Sequence, residues 1–197
     1  MKIVFPALVA CYLLLLRFAP YKGSFIVKAL PILWLALIVL LSDGSVTQLI
    51  FAALVFCAAG DIALDLDRTK YFLHGLTLFL VAHLFYIAAF LKLDGPQPRS
   101  IFALSLTLYA VAMSLVLKPK LGKLAPAVYT YIITITAMGI TAARHNTEIA
   151  TGAALFIISD SLIAIDKFVR PIPAATYWIM ITYYLAQYLI TEGILNQ

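Results

Sequence analysis

An all-α integral membrane protein with eight transmembrane helices is the fold class this sequence predicts, and three observations predict it. Of 197 residues, 64% are hydrophobic and 12% are charged, about half the charged share of an ordinary soluble domain. The mean hydropathy is +1.02, and a chain this apolar cannot build the polar shell that a soluble globule of its size needs. The charges it keeps fall between apolar runs of bilayer-crossing length, roughly 17–25 residues each. A cytosolic enzyme, a secreted disulfide scaffold, a disordered tail and a nucleic-acid-binding module are thereby excluded.

The gaps between charges place the spans at residues 2–19, 24–42, 45–65, 71–91, 100–117, 124–143, 149–166 and 174–191. The first needs justification, because Leu8-Val9-Ala10-Cys11 resembles a lipoprotein cleavage box. Only about five apolar residues precede that box, fewer than the roughly 7–15 of a signal h-region, and the run continues to Leu16, so the segment reads as a spanning helix. Arg17 and Lys28, in or near the first two spans, have stems long enough to snorkel to the interface. The third span holds Asp61 and Asp65, the fourth His74 and His83, the seventh Asp160 and the eighth Gln187. The fifth and sixth run between Arg99 and Lys118 and between Lys123 and Arg144. No soluble domain or low-complexity linker interrupts the pattern, so residues 1–197 read as a single polytopic membrane domain.

The net charge of +5 comes from basic residues between spans, where they set topology and meet anionic headgroups. Ten of the fourteen Lys and Arg flank the loops after the odd-numbered spans, and four (Lys2, Lys92, Arg99, Arg144) lie on the other side. The odd loops are therefore expected in the cytoplasm, with both termini outside, in the cell membrane or, for a bacterium, its inner membrane. Cys11 and Cys57 both sit within apolar stretches, which argues against a disulfide or a thiolate metal site.

A weak internal repeat is visible. Phe56-Cys57-Ala58-Ala59-Gly60-Asp61 is followed by Asp67, and Phe156-Ile157-Ile158-Ser159-Asp160 by Asp166, each six residues on. Asp61 and Asp160 are 99 positions apart, half the chain, and fall four spans apart. An even offset keeps both copies in one orientation, as in a 4+4 parallel repeat about an axis along the membrane normal.

Intramembrane carboxylates are costly and are candidates for function by default. Asp61 and Asp160 are the two best, expected at similar depth near the cytoplasmic face. Asp65 shares a helical face with Asp61, while Asp65 and Asp67 suit loop capping or pairing with Arg68 or Lys70. His83 and Tyr86 lie on one stripe of the fourth span with Phe79 and Phe90, and His74 lies near the depth of Asp61. In the eighth span, Tyr183, Tyr184 and Gln187 lie mid-helix, where Gln187 must find a polar partner. A His-Glu-x-x-His motif, a Gly-x-Ser-x-Gly elbow and a P-loop are all absent. Ala58-Ala59-Gly60-Asp61 lacks the first glycine of the Gly-x-Gly-Asp expected in an intramembrane aspartyl protease. What remains is a carboxylate pair with His, Tyr and Gln around it, and no cofactor or metal is expected.

At these positions the chain resembles the YhhN family of membrane proteins, the lysoplasmalogenases. The residues that carry the resemblance are Gly60-Asp61; Phe72, Gly75, Phe79, His83 and Tyr86; Gly152 and Ser159-Asp160; and Tyr183-Tyr184-Leu185-Ala186-Gln187. The resemblance implies hydrolysis of the vinyl ether bond of an alkenyl lysophospholipid, with membrane lipid as surroundings and the lysophospholipid as substrate. It places the two catalytic aspartates at Asp61 and Asp160. Asp65, His74, His83, Tyr86, Ser159, Tyr183, Tyr184 and Gln187 would support water or substrate, and Lys70, Lys167 and Arg170 at the cytoplasmic mouth would meet the phosphate. Paired intramembrane aspartates also suit a proton-coupled transporter, which solute flux without lipid turnover would reveal, and a non-catalytic lipid-binding scaffold would tolerate Asp→Asn changes.

Overall fold

The computed structural model describes residues 1–19, 21–67, 69–95 and 100–197. Among them it is all-helical, with α1 (Val4–Leu15), α2 (Ser24–Leu40), α3 (Thr47–Leu66), α4 (Phe72–Lys92), α5 (Ser100–Leu117), α6 (Ala125–Ala142), α7 (Thr147–Ala164) and α8 (Ala175–Leu195). Each expected span coincides with one helix, starting within two residues of the expected position. Two ends differ. α1 stops at Leu15 in a 3-10 turn, Leu16–Phe18, and Ala19 is extended (φ −68°, ψ 144°), as the residue before a proline prefers. α8 runs on through Gly193 to Leu195, since no proline follows and one glycine costs a helix only about 1 kcal/mol.

Among the described residues, five segments are long and apolar enough to cross a membrane: Thr47–Leu66, Phe72–Lys92, Ile101–Lys120, Gly122–Ala142 and Thr147–Val169. α1 and α2 are apolar but shorter. α8 has the length, at 21 residues, but its Tyr, Trp, Gln and Glu side chains lower its hydropathy. Leu104, Leu108, Val111, Leu115 and Val116 on α5 all face outward, as do Ile26, Leu30, Leu33 and Leu37 on α2. Apolar faces of this extent need lipid rather than water around them. The chain is an all-helical, multi-pass membrane protein.

The chain divides into two compact units, Met1–Ala89 and Phe90–Gln197. In the first, α1 packs on α2, and α2 packs on α3 along its length. Gly23, with φ 85°, supplies the left-handed turn into α2 that a side chain would resist. α3 meets α4 where glycine allows close approach: a Cβ on Gly75 would lie 2.6 Å from the Leu64 side chain, and one on Gly60 2.8 Å from the Phe79 ring. Above this contact Phe56 and Phe85 stack at 5.6 Å.

In the second unit the most extensive interface is α7 against α8, joined at three levels. At the start of α7, Asn146 accepts from Ile149 N–H as an N-cap (3.0 Å), and its side-chain amide donates to the Gly193 carbonyl of α8 at 2.7 Å. At mid-helix a Cβ on Gly152 would lie 2.8 Å from the Ala186 carbonyl oxygen and 2.9 Å from Ile190 N. At the far end Ser159 Oγ donates to the Ile179 carbonyl at 3.0 Å. Small residues that let backbones touch, with a few polar bonds, are how helices associate in lipid, where apolar burial provides no drive. α7 closes in a π-helical turn, Ile165–Val169.

Outside the spans, the loop after α6 is tied to the end of α4. His145 Nε2 donates to the Phe90 carbonyl at 2.9 Å, and Arg144 donates to the Gly95 carbonyl at 3.1 Å. Burial pushes the His145 ring below its usual value near 6.5. The fold thus favours the neutral ring, and its contribution is full above about pH 6.5 and lost as pH falls through the lowered value. Thermal unfolding in detergent is expected to show falling stability from about pH 7.5 to about pH 5, and a smaller fall in His145→Gln.

Candidate active site

The first-unit carboxylate is Asp61, in the last third of α3 and 3% exposed. Its partner comes from α2: Lys28 Nζ lies 3.5 Å from Asp61 Oδ1 and 3.4 Å from the Asp61 carbonyl oxygen. Lys28 is itself buried, 8% exposed. The snorkelling expected of it is therefore corrected: the ammonium turns inward, because a buried carboxylate one helix away compensates its charge better than a distant interface. Arg17 does lie at the surface, its guanidinium 4.6 Å from the Phe18 ring. One turn on, Ser24 Oγ donates to Asp65 Oδ2 at 2.5 Å. Ser24 and Lys28 on α2 thus meet Asp65 and Asp61 on α3, each pair spaced i, i+4, as antiparallel helices in one register require.

The second-unit carboxylate is Asp160 in α7, half-buried. Tyr131 of α6 donates its phenol O–H to Asp160 Oδ2. Ser161, the next residue, accepts from Tyr109 O–H at 2.6 Å. In each unit, then, the second helix sends a polar side chain to the aspartate of the third. The aspartates six residues further on also match in role. Asp67 accepts Thr69 N–H (2.9 Å) and Lys70 N–H (2.8 Å), and these bonds hold its carboxyl below the usual range. Asp166 accepts Ile172 N–H at 3.0 Å. Both are loop caps, while Arg68 lies outside the described residues.

The remaining candidates separate into groups. His83 is fully buried, its Nδ1 donating to the Phe79 carbonyl at 2.6 Å, and Tyr86 beside it is fully buried too. His74 faces outward, its ring edge-on to Tyr71 at 5.6 Å, so α4 keeps His83 inside and His74 outside. In the second unit Tyr183 stands edge-on to Phe156 at 5.4 Å and against Tyr184 at 5.5 Å, with Gln187 fully buried one turn on. Ser159 is engaged by the α8 backbone, as described. Lys70 and Arg170 are exposed, and the Lys70 and Lys167 ammonium groups lie 5.2 Å and 5.8 Å from the Tyr71 and Phe168 rings. Cys11 and Cys57 are not joined in a disulfide. Among the described residues no group of three or more His, Cys, Asp or Glu could hold a metal ion.

Sequence reasoning missed Lys28 and Tyr131. Lys28 was discoverable: it lies four residues into the 24–42 span, and Asp61 lies four before the end of the 45–65 span, so an antiparallel pair puts them level. Tyr131 carries no such mark within an apolar helix.

Comparison with known proteins supplies the context. The YhhN family model matches residues 23–194. The chain is 39% identical over 192 residues to lysoplasmalogenase TMEM86A of Bos taurus, covering 87% of this chain and 78% of the relative. It is 38% identical over 175 residues to lysoplasmalogenase TMEM86B of Homo sapiens, covering 87% and 75%. It is 38% identical over 151 residues to a lysoplasmalogenase of Mycobacterium bovis, covering 72% and 58%. No solved structure matches the chain. With a family model spanning most of its length and relatives above 30% identity along their greater part, the chain belongs to the YhhN family.

Proposed function

We propose that this protein is a lysoplasmalogenase, a hydrolase that cleaves the vinyl ether bond of an alkenyl lysophospholipid to a fatty aldehyde and a glycerophospho-ethanolamine or -choline. The observation that carries the reading is the similarity to lysoplasmalogenases over 87% of the chain, joined to an intramembrane aspartate on the third helix of each unit. The chemistry suits those residues. The alkenyl chain is protonated at the carbon β to oxygen, water adds to the resulting oxocarbenium ion, and the hemiacetal collapses to aldehyde and alcohol. Such a path needs one carboxylic acid to donate the proton and one carboxylate to stabilise the cation, as in glycosidases. Burial in low dielectric favours the neutral form of a carboxyl, which keeps a proton available near neutral pH.

In this reading Asp61 and Asp160 act on the alkenyl ether, His83, Tyr86, Tyr183, Tyr184 and Gln187 position water or glycerol, and Asp65, His74 and Ser159 hold the surrounding helices. Lys70, Lys167 and Arg170 receive the phosphate. The chain acts as one polytopic membrane domain whose eight helices all cross the bilayer, with odd-numbered loops in the cytoplasm and both termini outside. The division after Ala89 and the matched aspartate partners in the two units support a 4+4 parallel repeat.

The test is direct. Purified protein in detergent is given an alkenyl and an acyl lysophospholipid, and free aldehyde is measured. Aldehyde is expected from the alkenyl lipid alone, and its absence sinks the reading.

A further inference from the structure

We infer that the groove between α5 and α6 is a binding site for an anionic membrane phospholipid, with one acyl chain lying between the helices and the phosphate at Lys118. The site lies within the second unit, goes beyond the proposed hydrolysis and does not depend on it.

The groove has a volume of about 490 Å³, within the roughly 300–1,000 Å³ of sites that take a small organic ligand. Matching stripes line it. One runs along α5 from Thr107 past Ala110 and ends at Lys118, and the other runs along α6 from Tyr129 past Ala137 to Ile140. Each stripe covers eleven steps of chain, about 16 Å of helix. That is about half of the roughly 30 Å hydrocarbon core, so the groove is one leaflet deep and closes on a basic side chain. Its walls are hydrocarbon. Thr107 Oγ1 donates to the Ala103 carbonyl at 2.8 Å and Thr136 Oγ1 to the Ile132 carbonyl at 2.6 Å, so neither hydroxyl needs a partner in the groove. Only 6% of the Ile101–Lys120 span is buried within the protein, which leaves this face to an apolar occupant.

The groove turns away from the carboxylate of its own unit. Tyr109 and Tyr131 reach Ser161 and Asp160 of α7, and each stands two positions beyond the first lining residue of its helix, about 200° around the axis. A lipid seated between the stripes is therefore on the opposite side of both helices from Asp160. Charge selects its headgroup. Lys118, Lys120 and Lys123 are exposed on the 3-10 turns Lys118–Lys120 and Gly122–Leu124, which join α5 to α6. No acidic residue occurs between Asp94 and Glu148, so neither helix nor their connection offers these lysines a carboxylate. Asp166, on the turn that packs against α5, accepts Ile172 N–H at 3.0 Å. Lysines in a loop are ordinary topology signals, but a topology signal does not require that one of them close an apolar groove. A second copy of the chain is the poorer occupant, because a two-fold axis along the membrane normal would bring two sets of three lysines together.

The test counts bound lipid. The full chain in a neutral detergent is titrated with phosphatidylglycerol or with phosphatidylcholine of the same acyl chains, and native mass spectrometry measures what is retained. One phosphatidylglycerol per chain is expected, with phosphatidylcholine about tenfold weaker for want of net charge. Lys118→Gln should weaken phosphatidylglycerol about fivefold, and Lys118→Gln/Lys120→Gln/Lys123→Gln about 100-fold, the contribution usual for lysines at an anionic surface. Ala137→Trp fills the groove, leaves every lysine in place and should abolish retention. Should Ala137→Trp not fold, Ala110→Leu narrows the same groove from the other helix. Equal retention of the two lipids overturns the inference. So does undiminished phosphatidylglycerol in a folded groove variant, which would mean headgroup attraction alone. A dimer that Ala137→Trp dissociates would give the groove to a second copy, and alkenyl lysophospholipid that displaces phosphatidylglycerol at equal concentration would make it a substrate site; either outcome also overturns the inference. Because the readout is the bound lipid, a protein that releases no aldehyde defeats the proposed function and leaves this site standing.

Discussion

On the proposed two-carboxylate mechanism, Asp160→Asn is expected to reduce aldehyde release by about a hundred- to ten-thousandfold, the contribution usual for acid–base catalysis, with KM close to that of the wild type. Asparagine keeps the size of the side chain and can still accept the Tyr131 hydroxyl through its amide oxygen, but it can neither donate a proton as an acid nor stabilise a cation as a carboxylate. Asp61→Asn should be comparably inactive, since that mechanism needs both carboxyls. The two variants should part in stability. Asp61→Asn leaves the buried Lys28 ammonium without its carboxylate, and breaking one side of a buried pair costs about 3–5 kcal/mol. Asp160→Asn has no such cost at Tyr131. Thermal unfolding alongside kcat separates the effects, and full activity in either variant would end the two-carboxylate mechanism.

The largest effect on folding is expected at Gly152. A Cβ there meets the Ala186 carbonyl and Ile190 N at 2.8 and 2.9 Å, and both are backbone atoms that no rotamer change can move. Gly152→Val forces α7 and α8 apart in the middle, where close backbone approach is a main source of association in lipid. A destabilisation of about 3 kcal/mol or more follows, in the range reserved for overpacking and strain. Gly60→Ala and Gly75→Ala should cost less, since their obstructions are the Phe79 ring and the Leu64 side chain, which can yield. Unfolding of the three variants in one detergent gives the order, and a Gly152→Val protein as stable as Gly60→Ala would show that the α7–α8 contact is looser than described.

Most of the helix plan was legible because the bilayer imposes one length and one composition on every span, and charges mark the gaps. Asp61 and Asp160 stood out as candidates for the same reason, as charges inside apolar spans, and the structure adds their partners, Lys28 and Tyr131. Lys28 was read outward because a lysine near a helix end has two physical options, and composition cannot choose between them. Only the register of α2 against α3 chooses, and that was available from the short connection between them. His74 and His83 were both named, yet they stand nine residues apart, about two and a half turns, so one helix could not bury both. Tyr131 was out of reach, because a tyrosine in an apolar helix looks the same whether it packs or donates. The π-helical turn at Ile165–Val169 also leaves no trace in hydropathy.

The Asn146–Gly193 contact ties the identity of one residue to a whole helix turn distant in the chain. Any side chain at 193 begins 2.7 Å from the Asn146 amide oxygen, 2.7 Å from Ile149 Cγ1 and 3.0 Å from Glu148 Cβ, so residue 193 can enlarge only if the first turn of α7 gives way. A smaller residue 146 gives up both the cap on α7 and the bond to the α8 carbonyl. A single enlargement at 193 is therefore expected to give a poorer protein. A library built to diversify the chain should keep Gly193 fixed or randomise it together with the codons of 146 and 149.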